Sequence, residues 1–87
     1  MQFLIAIEPG DEQHAFGVVV PDLPGCFSAG DTLDEAIDNA KEAIELWLEE
    51  VINSGSAIPE PLPISEHRSN PEYKDWVWAR ITINPNR

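Results

Sequence analysis

The run from Pro21 to Ile44, PDLPGCFSAGDTLDEAIDNAKEAI, leaves the backbone few choices. Pro21 and Pro24 fix φ on either side of Asp22-Leu23, and Gly25 supplies the freedom for a sharp turn. Cys26 to Ala29 has the length of a short strand, and Gly30 lets the chain swing into a helix. Thr32-Leu33-Asp34-Glu35 fits a capping box, in which the threonine hydroxyl accepts from the Glu35 amide and the Glu35 carboxylate reaches back. Asp34 and Glu35 also suit the positive end of the helix dipole. Leu33, Ala36, Ile37, Ala40, Ile44, Trp47, Leu48 and Val51 then recur at three- and four-residue intervals, giving one apolar stripe until Asn53-Ser54-Gly55 ends it. At 1.5 Å per residue this helix is about 30 Å long, enough to cross a small sheet. Nothing in the unit suggests bond-making chemistry; its residues suit holding a surface in place.

The flanking segments supply the sheet. Gln2 to Glu8 is an apolar run of strand length closed by Pro9-Gly10, and Ala15 to Val20 is β-branched, with Val18-Val19-Val20 expected to be buried on both sides. They read as a hairpin looping around Pro9 to His14. Ile58 to Pro63, IPEPLP, cannot continue a helix and makes a semi-rigid surface connector. Ser65 to Tyr73 is polar and irregular, with one helical turn before Pro71. Trp76 to Asn84, WVWARITIN, alternates: Val77, Ala79, Ile81 and Ile83 form one face, Trp76, Trp78, Arg80 and Thr82 the other.

The expected fold is therefore α+β, in the order β-β-β-α-β, with one long helix on one face of a small mixed sheet. Because the last connection passes through the helix, a right-handed crossover should return the final strand parallel to the first. The aliphatic face of that strand should meet the helix. Two arrangements remain open for Trp76 and Trp78: uncovered aromatic surface at an interface, or cover by the connector folding back.

At 87 residues the chain has room for one small domain, residues 1–87, and buries roughly 60–65% of its unfolded surface. Sixteen Asp plus Glu against five Lys plus Arg give a formal charge of −11. Such a chain repels phosphate backbones, which excludes direct nucleic-acid binding, and attracts basic proteins. Simple solubilisation is the alternative meaning of the acid. Cys26 is the only cysteine, so no internal disulfide supports a secreted fold. The opening residues MQFLIAIEPG lack a basic leader and are too short for a membrane span. A reducing cytoplasm and no membrane association are expected.

Catalytic constellations fail on inspection. Gly25 and Gly30 have the spacing of a phosphate loop, but Asp31-Thr32 puts an acid where that loop needs lysine. His14 and His67 share no ligand spacing with Cys26 and read as neutral surface residues. Cys26 has no neighbouring cation and reads as a small buried residue. Ser28 lacks a nucleophile elbow. The acids Asp34, Asp38, Glu42, Glu45 and Glu49 fall opposite the apolar stripe as a charged flank, not a metal cage. No cofactor, metal or catalytic residue is expected. Glu49 and Glu50 oppose the helix dipole, and Leu46 stands among Glu42, Glu45 and Glu49. An apolar residue ringed by carboxylates suits a docking site for a basic partner. The candidate partner-binding residues are Asp38, Glu42, Glu45, Leu46, Glu49, Trp76 and Trp78.

PDLPGC followed by GDTLDEA, with EYKDWVWARI near the end, closely resembles the HicB family of bacterial antitoxins over nearly the whole chain. The resemblance implies a partial ribonuclease-H-like fold without the nuclease's carboxylate set. It also implies a role: neutralising a small basic HicA-type mRNA-cleaving toxin by covering its RNA-binding or active surface. Dimers or tetramers are implied as well. Many family members continue into a DNA-binding domain that represses their own operon; this sequence stops at Asn84-Pro85-Asn86-Arg87, so operator DNA is a partner only for a longer protein. The competing readings are a stand-alone oligomeric module and a divergent metal-dependent nuclease.

Overall fold

A computed structural model describes residues 1–83. The elements are β1 (Gln2–Glu8), β2 (Phe16–Val19), β3 (Phe27–Gly30), α1 (Leu33–Asn53), α2 (Ile64–Arg68), a 3-10 turn at Pro71–Tyr73, and β4 (Val77–Thr82). The fold is α+β, as expected, with a four-stranded sheet in the order β3-β2-β1-β4. The strand expected to end at Asn84 ends at Thr82, and Asn84 itself lies outside the described residues.

The sheet is antiparallel throughout, which corrects the expected mixed sheet and parallel last strand. Val77 pairs with Ile7 and Thr82 with Gln2, so β4 runs against β1. The crossover rule fixes the hand of a connection between parallel strands and does not itself make two strands parallel. Here 23 residues separate α1 from β4, from Ser54 through Trp76, and they contain a further helical turn and the 3-10 turn. That length carries the chain back along the sheet before β4 begins.

α1 covers one face. Phe3, Ile5, Ile7, Val18 and Ile81 from the sheet, with Val20 and Ile83 just beyond β2 and β4, form the core with Ala36, Ala40, Ile44 and Leu48. Alternation puts Leu4 and Ala6 on the opposite face, and both are buried as well. The strand buried on both sides is therefore β1, not β2, where Val19 is half-exposed. β1 occupies an inner position with partners on each side; Ala6 sits between Val19 and Trp78 in register.

The helix start follows the capping chemistry with one change. Thr32 Oγ1 accepts from the Glu35 N–H at 3.1 Å, while the Glu35 carboxylate accepts from the Asp31 N–H at 3.3 Å, one residue earlier than a capping box requires. Leu33, in the predicted stripe, is exposed. At the other end Gly55 takes φ 75°, and the N–H groups of Gly55 and Ser56 donate to Ile52 and Val51. That is a Schellman stop.

β3 and the first turn of α1 approach so closely that Gly30 tolerates no side chain. A Cβ there would lie 2.4 Å from the Ala36 nitrogen. Two further bonds tie the same junction: Ser28 Oγ donates to the Ala36 carbonyl, and Asn39 Nδ2 to the Ala29 carbonyl at 2.8 Å.

The PDLPGC turn is a junction in its own right. Leu23 is fully buried, Gly25 takes φ 80°, and the Pro24 carbonyl accepts from Trp47 Nε1 at 3.0 Å. Asp22 is buried and ties the connector down. Its Oδ1 accepts from the Leu62 N–H at 3.0 Å and lies 2.8 Å from His67 Nε2. His67 is thus buried, which corrects its expected surface position.

Gly30→Ala should lower stability by about 2 kcal/mol, because the helix start must shift to admit the new methyl. In a domain of this size that is a fall of roughly 10 °C in thermal midpoint, read by circular dichroism. Asp22→Ala should cost about 2–3 kcal/mol in urea unfolding, since it strands the Leu62 N–H and the His67 ring. Combining it with His67→Ala should cost less than the two single losses summed, by about 1 kcal/mol, if the two side chains act as a pair.

Candidate functional site

The seven candidate residues fall on two separate surfaces. Asp38, Glu42, Glu45, Leu46 and Glu49 are all exposed on the side of α1 that faces away from the sheet. They follow three- and four-residue steps along one flank, so their side chains are neighbours. Leu46 is 59% exposed in their midst, and Ile52 is also exposed further along the helix. The last turn of α1 carries no basic residue, so Glu49 and Glu50 add to the negative end of the dipole instead of offsetting it. The flank is a ready anionic surface with an apolar centre.

Trp76 and Trp78 lie elsewhere. Trp78 is the register partner of Ala6, on the sheet face away from α1. Both tryptophans are half-buried, because the connector folds back over them. Tyr73 meets Trp76 edge-on at 5.2 Å between centroids and Trp78 at 5.5 Å; the His67 ring lies nearly parallel to Trp78 at 6.3 Å. Of the two arrangements open in the sequence, the covered one is found. Burial, together with the neighbouring Glu72 charge, pushes the Tyr73 hydroxyl above its usual value.

The residues singled out for chemistry are placed as architecture. Cys26 is buried, and burial pushes its thiol up, away from the thiolate a nucleophile needs. Ser28 Oγ is engaged with the Ala36 carbonyl. His14 is exposed and pairs with Asp11 at 2.9 Å; the Asp11 carboxyl is held below its usual range, first by the Gln13 N–H and then by His14. Among the described residues no three His, Cys, Asp or Glu side chains converge as a metal site. No described helix is long and apolar enough to cross a membrane.

Sequence reasoning missed the Asp22–His67 pair. The partners are 45 residues apart, and neither spacing nor periodicity links them. The one available signal was an acid beside a leucine within the Pro21–Pro24 turn, a place where the fixed backbone can turn a side chain inward.

Comparisons with known proteins agree with this architecture. The sequence model of the HicB-like antitoxin of bacterial toxin–antitoxin systems matches residues 3–87. An uncharacterised 14.9 kDa protein in the rep-hol intergenic region of Haemophilus phage HP1 is 46% identical over 84 residues, which is 97% of this chain and 62% of that protein. The chain thus spans about three-fifths of that curated relative's length. The crystal structure of the N-terminal domain of the Burkholderia pseudomallei antitoxin HicB superposes with a TM-score of 0.80 at 36% identity, covering 97% of this chain and 99% of that one. A chain of the HicA3 and HicB3 toxin–antitoxin complex superposes with a TM-score of 0.77 at 30% identity, covering 98% of this chain and all of that one. By sequence and by fold, this chain belongs to the HicB-like antitoxin family of bacterial toxin–antitoxin systems.

Proposed function

We propose that this chain is a non-catalytic antitoxin domain that binds and neutralises a small basic HicA-type toxin, an mRNA-cleaving protein, by covering its RNA-binding or active surface. The observation that carries the reading is the outer flank of α1, where Asp38, Glu42, Glu45 and Glu49 surround the exposed Leu46. A toxin that grips RNA must present cations along a groove; the flank presents carboxylates that compete for them, and Leu46 adds apolar contact at the centre. The likeness to a chain of a HicA3–HicB3 complex supports a toxin as partner. The formal charge of −11 supports fast, steered encounter with a basic protein and weighs against direct contact with RNA or DNA.

Action in the bacterial cytoplasm and self-association into dimers or tetramers belong to the same reading. Residues 1–87 act as one antitoxin domain; operator binding is assigned only to a longer protein that carries a C-terminal DNA-binding domain. Trp76 and Trp78, half-covered and on the other sheet face, are secondary contacts at most in this scheme.

The test is co-expression with the basic product of the neighbouring gene. The reading expects a stable complex and restored growth; neither forming would remove it. Within the complex, Glu42→Lys with Glu45→Lys should weaken binding by about tenfold or more in calorimetry, equivalent to about 1.4 kcal/mol. The loss of affinity with added salt should also become shallower, because fewer ion pairs remain to be screened. Unchanged affinity would reduce the flank to a solubilising surface.

A further inference from the structure

We propose that the free edge of β4, with the cleft at its start, binds an extended acidic peptide segment. β4 is the outermost strand on its side of the sheet, so among the described residues its outer N–H and C=O groups have no strand partner. An exposed edge of that kind accepts a further strand through main-chain hydrogen bonds, with side-chain pockets supplying selectivity.

The pocket is beside it. A cleft of about 400 Å³ opens between the connector and the start of β4, lined by Arg68, Asn70, Tyr73, Lys74, Trp76 and Trp78 among others. Its chemistry is rich in donors. Asn70 Oδ1 is occupied by the Glu72 N–H, which leaves the amide Nδ2 to donate. Neither cleft indole has an acceptor among the described residues, in contrast to Trp47, which donates to Pro24. Asp75 is the one acid in the lining.

The charge distribution is the second observation. Four of the chain's five Lys and Arg residues lie within the described range: Lys41, Arg68, Lys74 and Arg80. Lys41 is on α1. Arg68 and Lys74 line the cleft, and Arg80 projects from the same sheet face as Trp78, two residues along β4. None of these three forms an ion pair with a described carboxylate. A protein of charge −11 thus places three of its four described cations at or beside β4, next to two tryptophans.

That pattern selects the occupant. A second copy pairing through β4 would set two cationic edges against each other and bring together two chains of charge −11. A polynucleotide would meet the cations, but it has no main chain of alternating N–H and C=O groups to pair with the free edge of β4. An extended peptide with alternating acids satisfies the edge through its backbone and the cations through its side chains. This goes beyond the antitoxin reading and stands apart from it, because the acidic flank of α1 is on the other side of the sheet.

The experiment is a nuclear magnetic resonance titration of the whole chain with three probes. They are a short peptide alternating glutamate and valine, the same peptide with lysine for glutamate, and a short single-stranded RNA. The glutamate peptide should shift the Trp76 and Trp78 indole signals and the Val77–Thr82 amides, and the other two should not. Lys74→Glu with Arg80→Glu, both at exposed positions, should weaken the glutamate peptide by tenfold or more; Arg80→Gln should weaken it less. The proposal is overturned if those signals stay still at millimolar glutamate peptide, if the lysine peptide or the RNA binds as well, or if charge reversal leaves the affinity unchanged.

Discussion

The bond between the Asp22 carboxylate and the His67 ring fixes the one long-range relation that the rest of the molecule follows from. It joins the turn after β2 to the connector after α1, and the Leu62 N–H shares the same oxygen. A chain leaving α1 with nothing to hold it could enter the sheet from either end. Held at Asp22, it lies over the face away from α1, places His67 and Tyr73 against Trp78, and enters β4 at the level of Ile7. The direction of β4, the burial of Ala6 and the cleft all depend on that path. Burial makes the bond consequential: neither partner has water to fall back on, so losing one leaves the other unsatisfied.

The parts of the fold legible in the sequence are those governed by neighbours a few residues away. The α1 cap at Thr32, the apolar stripe through Ala36, Ala40, Ile44 and Leu48, and the stop at Gly55 are local physics, and each appears where the residues imply it. The strand β4 is similarly legible from its alternation, and β1 from an apolar run of strand length closed by Pro9-Gly10. What escaped is what depends on distant contacts. The direction of β4 is set by the connector's path, not by the alternation of WVWARITIN, which reads the same either way. His67 carries no local mark of burial, because the acid that receives it is 45 residues upstream. Gly30 was legible as a turn, yet its stronger constraint, a close approach to the Ala36 nitrogen, exists only once β3 and α1 are packed. For the candidate site, the acidic flank followed directly from helical spacing. The cover over Trp76 and Trp78 was an open alternative until the connector had a fixed path.

The family motif PDLPGC…GDTLDEA has a structural meaning that does not depend on its use as a signature. Asp22 anchors the connector, Leu23 fills the core, and the Pro24 carbonyl receives Trp47. Gly30 admits the helix, and Thr32 starts it. Each of these residues faces inward or is consumed in a bond between elements. These residues fix the fold, and the two charged surfaces of the molecule are positioned by them.

Those surfaces carry opposite electrostatics on opposite sides of one thin sheet. The acids of α1 sit on its outer flank because the inner flank must be apolar to cover β1 and β2, so any excess charge on this helix is forced outward. The connector is under no such demand, and it brings Arg68 and Lys74 to the face where β4 already presents Arg80. A sheet only one layer thick, with a helix on one side and a short irregular cover on the other, can hold these two fields apart with apolar strands between them. At physiological salt, exposed charges are screened in water beyond about 8 Å. Each surface therefore acts on a partner mainly at close contact, where its own local charges outweigh the net charge of the chain, and a ligand of one sign is held on one side of the molecule.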